Sequence, residues 1–299
     1  MMQEAASENF PIRTVSELTG VNAVTLRAWE RRYGLIKPLR TPKGHRLYTR
    51  DDVQLIQEIL DRLSMGVSIG QIARDILNSD PSGADRSDVW AQYSRRMIDA
   101  IVSFDNHALD NVYNDAMSLY PVDVVTSRLI MPLLEELGSR WETKVGSIAE
   151  EHFFSVYLRN KLGARFHHQN LKSTGPKLIL ACLPGEQHEF GILLFALMAH
   201  SKGHQIILLG ADLPVAELKH VADRSDSQAI VLAGSASLSC EAVISAVGLL
   251  SEQISVPLFI GGDISNTCRD EIVQAGATPL GHKLTGSLHI IANRLNRSN

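Results

Sequence analysis

One loop of this chain places an imidazole where it could ligate a metal. It reads Gly185-Glu186-Gln187-His188-Glu189-Phe190-Gly191. A neutral imidazole can offer one ring nitrogen to a metal while its other ring N–H donates to a carboxylate, which fixes the tautomer and raises the basicity of the ligand. Glu186 stands two residues before His188 and is placed to be that acceptor. Gly191 lets the backbone come close to a bulky group. A lone loop histidine is more often structural or solvated, so the reading depends on what surrounds it. Two further stretches, Gly234-Ser235-Ala236-Ser237-Leu238 and Gly261-Gly262, are rich in small residues. Trp141 is followed after nine residues by the pair Glu151-His152.

A second kind of chemistry is concentrated near the start. Residues 12–50 hold nine Lys or Arg against two acids, a net of +7, although the whole chain is −4 and the remainder therefore −11. A basic block in an acidic chain is the electrostatic footprint of a nucleic-acid-binding module. Residues 14–33 read as helix, turn, helix, with Gly20 and Asn22 in the turn and Thr25, Arg27, Glu30 and Arg31 facing outward from the second helix. Lys37 to Tyr48 follows as a basic turn suited to a wing. Such a helix enters the major groove while Arg40, Lys43 and Arg46 hold phosphates, with His45 and Tyr48 beside them.

These groups need elements to position them. The 299 residues are 44% hydrophobic and 21% charged, ordinary for a globular chain of two or three domains. Residues 1–78 read as a helical module. Thr14-Val15-Ser16-Glu17 and Thr49-Arg50-Asp51-Asp52 have the spacing of capping boxes, the second opening a long helix. Residues 78–83 read as a linker. Residues 87–170 carry helical periodicity broken at Pro121 and Gly146, which predicts a four-helix bundle, with Ser147 and Glu150 capping its last helix. From 175 to 299, short apolar runs at 177–183, 205–210, 229–235 and 257–263 alternate with helical stretches. That pattern predicts a Rossmann-like α/β domain with a parallel sheet, whose ligands sit at the carboxyl ends of the strands. The loops 184–190, 234–239 and 261–265 lie there. No G-x-G-x-x-G follows the first strand, which disfavours a dinucleotide site.

No run of about 18 apolar residues is present, so no membrane partner is expected. The N-terminus lacks the apolar stretch of a secretory signal. Cys182, Cys240 and Cys268 are far apart without C-x-x-C spacing, which argues against a disulfide framework and for a reduced, cytoplasmic setting.

The residues Thr25-Leu26-Arg27, Glu30-Arg31-Arg32, Gly34-Leu35-Ile36, Pro38, Arg40 and Gly44-His45-Arg46-Leu47-Tyr48 resemble the winged-helix DNA-binding domain of MerR-type regulators. The pattern E-x-H-x-x-G at 186–191 resembles cobalamin-binding domains in which an imidazole becomes the lower axial cobalt ligand. The Ser-rich turn and the Gly-Gly pair resemble the slot that takes the displaced nucleotide tail. The usual S-x-L triplet reads S-A-S-L here, so either Ser235 or Ser237 matches. Trp141 with Glu151-His152 resembles the bundle of the light-sensing CarH/LitR subfamily, in which the Trp covers the adenosyl group and the Glu binds it. A His directly follows the Trp in those photoreceptors; here Glu142 stands in that place.

The resemblance implies a multidomain regulator: winged helix-turn-helix, helical bundle, then cobalamin domain. It implies adenosylcobalamin as cofactor with His188 as the cobalt ligand, and Trp141, Glu151, His152, Glu186, Gly191, Ser235, Ser237, Gly261 and Gly262 around it. Operator DNA and a homo-oligomer, dimer or tetramer, are the implied partners, and the expected action is repression released by light. The alternative is a regulator that senses cobalamin level, or another signal, without photochemistry. An enzyme is not expected, since no substrate barrel or methyl-donor domain is recognisable.

Overall fold

The computed structural model describes residues 9–77, 88–140, 147–168 and 173–296. The chain forms two compact units, Met1–Tyr157 and Leu158–Asn299.

The first unit begins with β1 (Phe10–Pro11) and α1 (Ile12–Thr19). The Thr14–Glu17 capping box is not formed, because α1 starts earlier, behind Pro11. Proline lacks an N–H and fixes φ, so it suits a helix entrance. α1 stops at Gly20, whose φ of 73° returns its N–H to Ser16. Asn22 then caps α2 (Ala23–Ala28), its side chain accepting the Thr25 N–H at 2.9 Å. The helix continues as a wider π turn, Trp29–Tyr33, closed by Gly34. β2 (Leu39–Arg40) and β3 (Arg46–Tyr48) form an antiparallel hairpin, and β1 pairs with the other edge of β3. Thr49 and Asp52 make both arms of the expected capping box at the start of α3 (Arg50–Ser64). α4 (Ile69–Ile76) follows. Val15, Leu26, Trp29, Ile36, Ile56, Ile59 and Leu63 are fully or nearly fully buried and are the core of this module.

The helical segment has α5 (Val89–Val102), α6 (Asn106–Leu119), then α7 (Val122–Val125) running through a π turn into α8 (Met131–Ser139), and finally α9 (Ser147–His168). Asp88 and Asp105 cap α5 and α6, and Pro121 breaks the chain before α7 as its sequence suggests. Ser147, read as a cap, is the first residue of α9. The linker expected at 78–83 lies outside the described residues.

The second unit is a five-stranded parallel sheet: β4 (Lys177–Cys182), β5 (Gln205–Gly210), β6 (Ala229–Ala233), β7 (Leu258–Gly261) and β8 (Thr278–Gly281), in the order β5-β4-β6-β7-β8. Alternate residues of the central strands feed two cores. Ile179, Ala181, Ile230, Leu232 and Ile260 face Leu218 of α11 (Val215–Ser225), Val243 and Val247 of α12 (Cys240–Ser251), and Ile272, which follows the short α13 (Ile264–Thr267) on α14 (Arg269–Gln274). Leu178, Leu180, Val231 and Phe259 face Phe195 and Ala199 of α10 (Phe190–Ser201) and Ile291 of α15 (Leu284–Asn296). Helices on both faces explain why the strands are continuous apolar runs.

Two expectations change here. The sequence reading had four strands; β8 is a fifth, at the sheet edge, where Pro279 is tolerated because one side of the strand needs no hydrogen bonds. Cys240 and Cys268, read as unpaired, form a disulfide with Cα atoms 5.6 Å apart. The parallel topology brings the start of α12 and the end of α13 to the same edge of the sheet, a proximity that a separation of 28 residues conceals. Cys182 is free and buried.

Candidate functional site

The order of the strands reverses direction at β4, between β5 and β6. Ligands of open parallel sheets sit in the crevice outside the strand ends at such a point. His188 lies on the loop leaving β4, and Ser235 on the loop leaving β6.

Glu186 organises this edge. It is 2% exposed, and its Oε1 accepts the backbone N–H of His188 at 2.8 Å while standing 2.6 Å from His188 Nδ1. Its Oε2 accepts the backbone N–H of Ser235 at 2.5 Å, tying the two loops together. Burial raises the Glu186 carboxyl, but hydrogen bonds from Ser235 and His188 more than offset this and hold it below the ordinary value. With Nδ1 committed to a carboxylate, the imidazole presents Nε2 outward, and the ring is 72% exposed. That is the arrangement of a histidine ligand with its orienting carboxylate.

The flanks of the loop are also held. The Asp212 carboxylate accepts the Gly185 N–H at 2.9 Å, and the Asp212 N–H returns to the Glu186 carbonyl. Arg159 pairs with Glu189 at 2.7 Å. Asp212 was missed in the sequence; its signal is its position just after β5, at the same edge as His188. Ser235 and Ser237 share a hydroxyl hydrogen bond of 2.6 Å, so the Ser-rich turn brings both serines to one place. A Cβ on Gly191 would meet nothing within 4 Å, and one on Gly261 only van der Waals contacts. Gly262 differs: its φ is 86°, and a Cβ there would overlap the Gly234 carbonyl. Its smallness serves the close approach of two backbone loops.

In the first unit Glu151 is half-buried, and its Oε2 is buried with no hydrogen-bond partner among the described residues. His152, the next residue, is exposed. Arg140 faces Glu150 at 3.7 Å, joining the end of α8 to the start of α9. Trp141 and Glu142 lie outside the described residues.

The basic module shows Arg27, Arg31, Lys43 and His45 exposed. Arg40 and Arg46 both bind Glu30, at 2.8 and 2.5 Å. Burial raises the Glu30 carboxyl, and the two arginines outweigh that and lower it. Two sequence expectations fail. Thr25 is fully buried: it sits one helical turn before Trp29, on the face packed into the core. Tyr48 is fully buried as well, on β3 opposite Phe10. Neither side chain is presented at the surface.

The residues present suit a corrin ring bound through one protein nitrogen. His188 offers an oriented, exposed ring nitrogen.

Residues 10–78 match the MerR HTH family regulatory protein profile, and residues 93–165 match the B12 binding domain profile. Residues 10–78 thus carry a MerR-type helix-turn-helix module, and residues 93–165 a B12-binding domain. It is 29% identical over 272 residues to the HTH-type transcriptional repressor CarH of Myxococcus xanthus, covering 86% of this chain and 90% of that one. It is 29% identical over 210 residues to the repressor CarA of the same organism, covering 70% of each chain. Among solved structures, the monomethylamine corrinoid protein of Methanosarcina barkeri shares the fold, with a TM-score of 0.53 and 17% identity over 67% of this chain and 97% of that one. No helix among the described residues is long and apolar enough to cross a membrane.

Proposed function

We propose that the chain is a repressor that binds operator DNA through a winged helix and holds adenosylcobalamin with His188 as the lower axial cobalt ligand. The observation that carries this is the Glu186–His188 pair at the switch point of the sheet, on a chain whose other end is a MerR module. Arg27 and Arg31 face the major groove, and Lys43, His45, Arg40 and Arg46 serve the wing, the last two after exchange from Glu30. The helices from α5 to α9 are read as a four-helix bundle whose Trp141, Glu151 and His152 take the adenosyl group.

When bound, adenosylcobalamin would supply a cobalt–carbon bond that light can break. The chain's own residues do the rest. Glu186 keeps the proton on Nδ1, so that the Nε2 lone pair of His188 is free. Glu186 also links the His188 loop to the Ser235 loop, so a ligand that displaces one is felt by the other. Ser235, Ser237 and Gly261 are read as the small-residue lining of a slot for a nucleotide tail. A ligand favouring one arrangement of the bundle shifts the chain toward it by mass action, which links cofactor to assembly and so to DNA.

One residue favours a second reading. Glu142 stands where the resembling photoreceptors carry a His, and a carboxylate is a weaker ligand than imidazole for such a metal. A cobalamin-level sensor without a lasting light response follows from that. The test is the absorption spectrum and size-exclusion volume of the purified chain with adenosylcobalamin, in darkness and after illumination. A spectrum dependent on His188 with an oligomer that falls apart in light supports the photoreceptor. Cofactor-dependent assembly unmoved by light supports the level sensor. No cofactor uptake rejects both.

A further inference from the structure

Within the first unit, the end of the DNA-reading helix is docked on α6 at two points one helical turn apart. Trp29 is fully buried, and its indole N–H donates to the Leu119 carbonyl at 2.8 Å. Leu119 belongs to the last turn of α6, where carbonyls lack helical partners, so the indole satisfies an orphan acceptor. Arg32 reaches Asp115 at 3.2 Å, and the other Asp115 oxygen accepts the Tyr93 hydroxyl at 2.8 Å. Residues 29 and 32 on one helix thus meet 119 and 115 on the other, neighbours at helical spacing on both sides.

The two contacts differ in kind. The Trp29 contact is buried and fixes the helix. The Arg32–Asp115 pair has side chains 45% and 36% exposed, so water and counter-ions reach it. Such pairs exchange readily. Arg32 follows Arg31 and lies five residues beyond Arg27, both exposed and without a carboxylate partner in any ion pair among the described residues. A phosphate is the natural competitor for a guanidinium held by a carboxylate, since both accept the same planar pair of donors. The Tyr93 hydroxyl, from α5, donates to the carboxylate oxygen that Arg32 does not use.

We propose that Asp115 is a positioning residue for DNA binding: it holds Arg32 on α6 and so withholds one phosphate-binding cation from the DNA-reading helix. The helical segment then acts on DNA affinity through a single carboxylate. This rests on the reading of residues 10–78 as the DNA-binding face.

The test is fluorescence anisotropy of the full chain on a mixed-sequence DNA duplex over a range of salt. Asp115→Asn keeps the acceptor for Tyr93 and removes the charge. It is expected to bind more tightly at low salt and to steepen the slope of log K against log salt by about 0.9, the effect of one added phosphate contact. Arg32→Ala in the Asp115→Asn background is expected to return the slope to that of the unaltered chain, whereas Arg32→Ala alone leaves it nearly unchanged. Tyr93→Phe preserves the charge and is expected to leave the slope alone, which separates this effect from damage to packing. Arg27→Ala reports on the DNA-binding face itself and should weaken binding. If Arg27→Ala weakens binding while Asp115→Asn does not steepen the slope, Asp115 has no such role. If Arg27→Ala leaves binding unchanged, the DNA-binding face is misassigned and the proposal falls with it.

Discussion

Glu186 Oε1 stands 2.6 Å from His188 Nδ1 while Oε2 of the same carboxylate holds the Ser235 N–H at 2.5 Å. One buried carboxylate therefore sets both the tautomer of the proposed cobalt ligand and the spacing of the two loops beside it. Glu186→Gln keeps the shape but not the charge. Loss of such an orienting partner commonly lowers metal affinity by about 10–100-fold. Titration with cobalamin, followed by absorbance, should show a drop of that size in the variant and a larger one in His188→Ala. Equal affinity in all three proteins would remove both residues from the site.

The same carboxylate makes stability depend on pH. Its folded-state value lies below the ordinary one, because hydrogen bonds from Ser235 and His188 outweigh burial. A carboxyl depressed by folding stabilises above its unfolded value, about 4.3 for Glu, and that contribution disappears as pH falls through the folded value. Melting temperature should thus decline in acid more steeply in the unaltered chain than in Glu186→Gln. The gap between the two should close at the acid end. Parallel curves would mean that Glu186 is not held in this way.

How much of this was legible in the sequence depended on how local the signal was. Strands β4 to β7 are apolar runs between polar loops, and the Glu186–His188 pair is two residues apart, so both could be read directly. β8 hides behind Pro279 and only four residues. Thr25 was assigned to the wrong face although its spacing from Trp29 places it in the core; the polar side chain outweighed the helical period. Tyr48 misled for a similar reason, its hydroxyl suggesting the surface where its pairing with Phe10 turns it inward. The Trp29–Leu119 bond spans 90 residues and has no local signature at all.

Arg27 offers the cleanest test of the DNA-binding face. It is exposed on α2, and no carboxylate holds it in an ion pair among the described residues. Arg46 is less clean, because it is bound to Glu30 and its loss would leave that half-buried carboxylate with Arg40 alone. Arg27→Ala should weaken binding to duplex DNA and reduce the salt slope by about 0.9 if it meets a phosphate. If it meets a base edge, it should cost about 1–3 kcal/mol on the preferred sequence and less on others. Gel-shift titrations on several sequences at two salt concentrations distinguish the two outcomes.

The Cys240–Cys268 bridge predicts a thiol count. The unfolded, unreduced chain should show one reactive thiol, Cys182, and the reduced chain three. Closing a loop over a separation of 28 residues should stabilise the fold by about 3–4 kcal/mol through the unfolded chain. Cys240→Ser should therefore unfold at lower denaturant than the oxidised chain, at a midpoint close to that of the reduced chain. Three reactive thiols before reduction would show that the bridge does not form in solution.

Glu151 gives the means to tell an adenosyl-specific site from a general cobalamin site. Its Oε2 is buried and has no hydrogen-bond partner among the described residues. A buried acceptor left unpaired is costly, and pairing it with a ligand donor recovers that cost. A ribose hydroxyl or an adenine amine is such a donor, whereas an upper ligand of water or hydroxide reaches less far from the cobalt. A hydrogen bond to a charged acceptor contributes about 1.5–3 kcal/mol, or roughly 10–150-fold in affinity. The unaltered chain should therefore bind adenosylcobalamin more tightly than hydroxocobalamin by a factor in that range. Glu151→Ala, which deletes the acceptor, should abolish most of the preference while leaving the affinity for hydroxocobalamin, which depends on His188, almost as it was. Thermal shift and equilibrium dialysis with both cobalamins measure the two quantities separately. A preference that survives Glu151→Ala would place adenosyl recognition elsewhere on the chain, and a loss of both affinities together would make Glu151 a structural residue of α9.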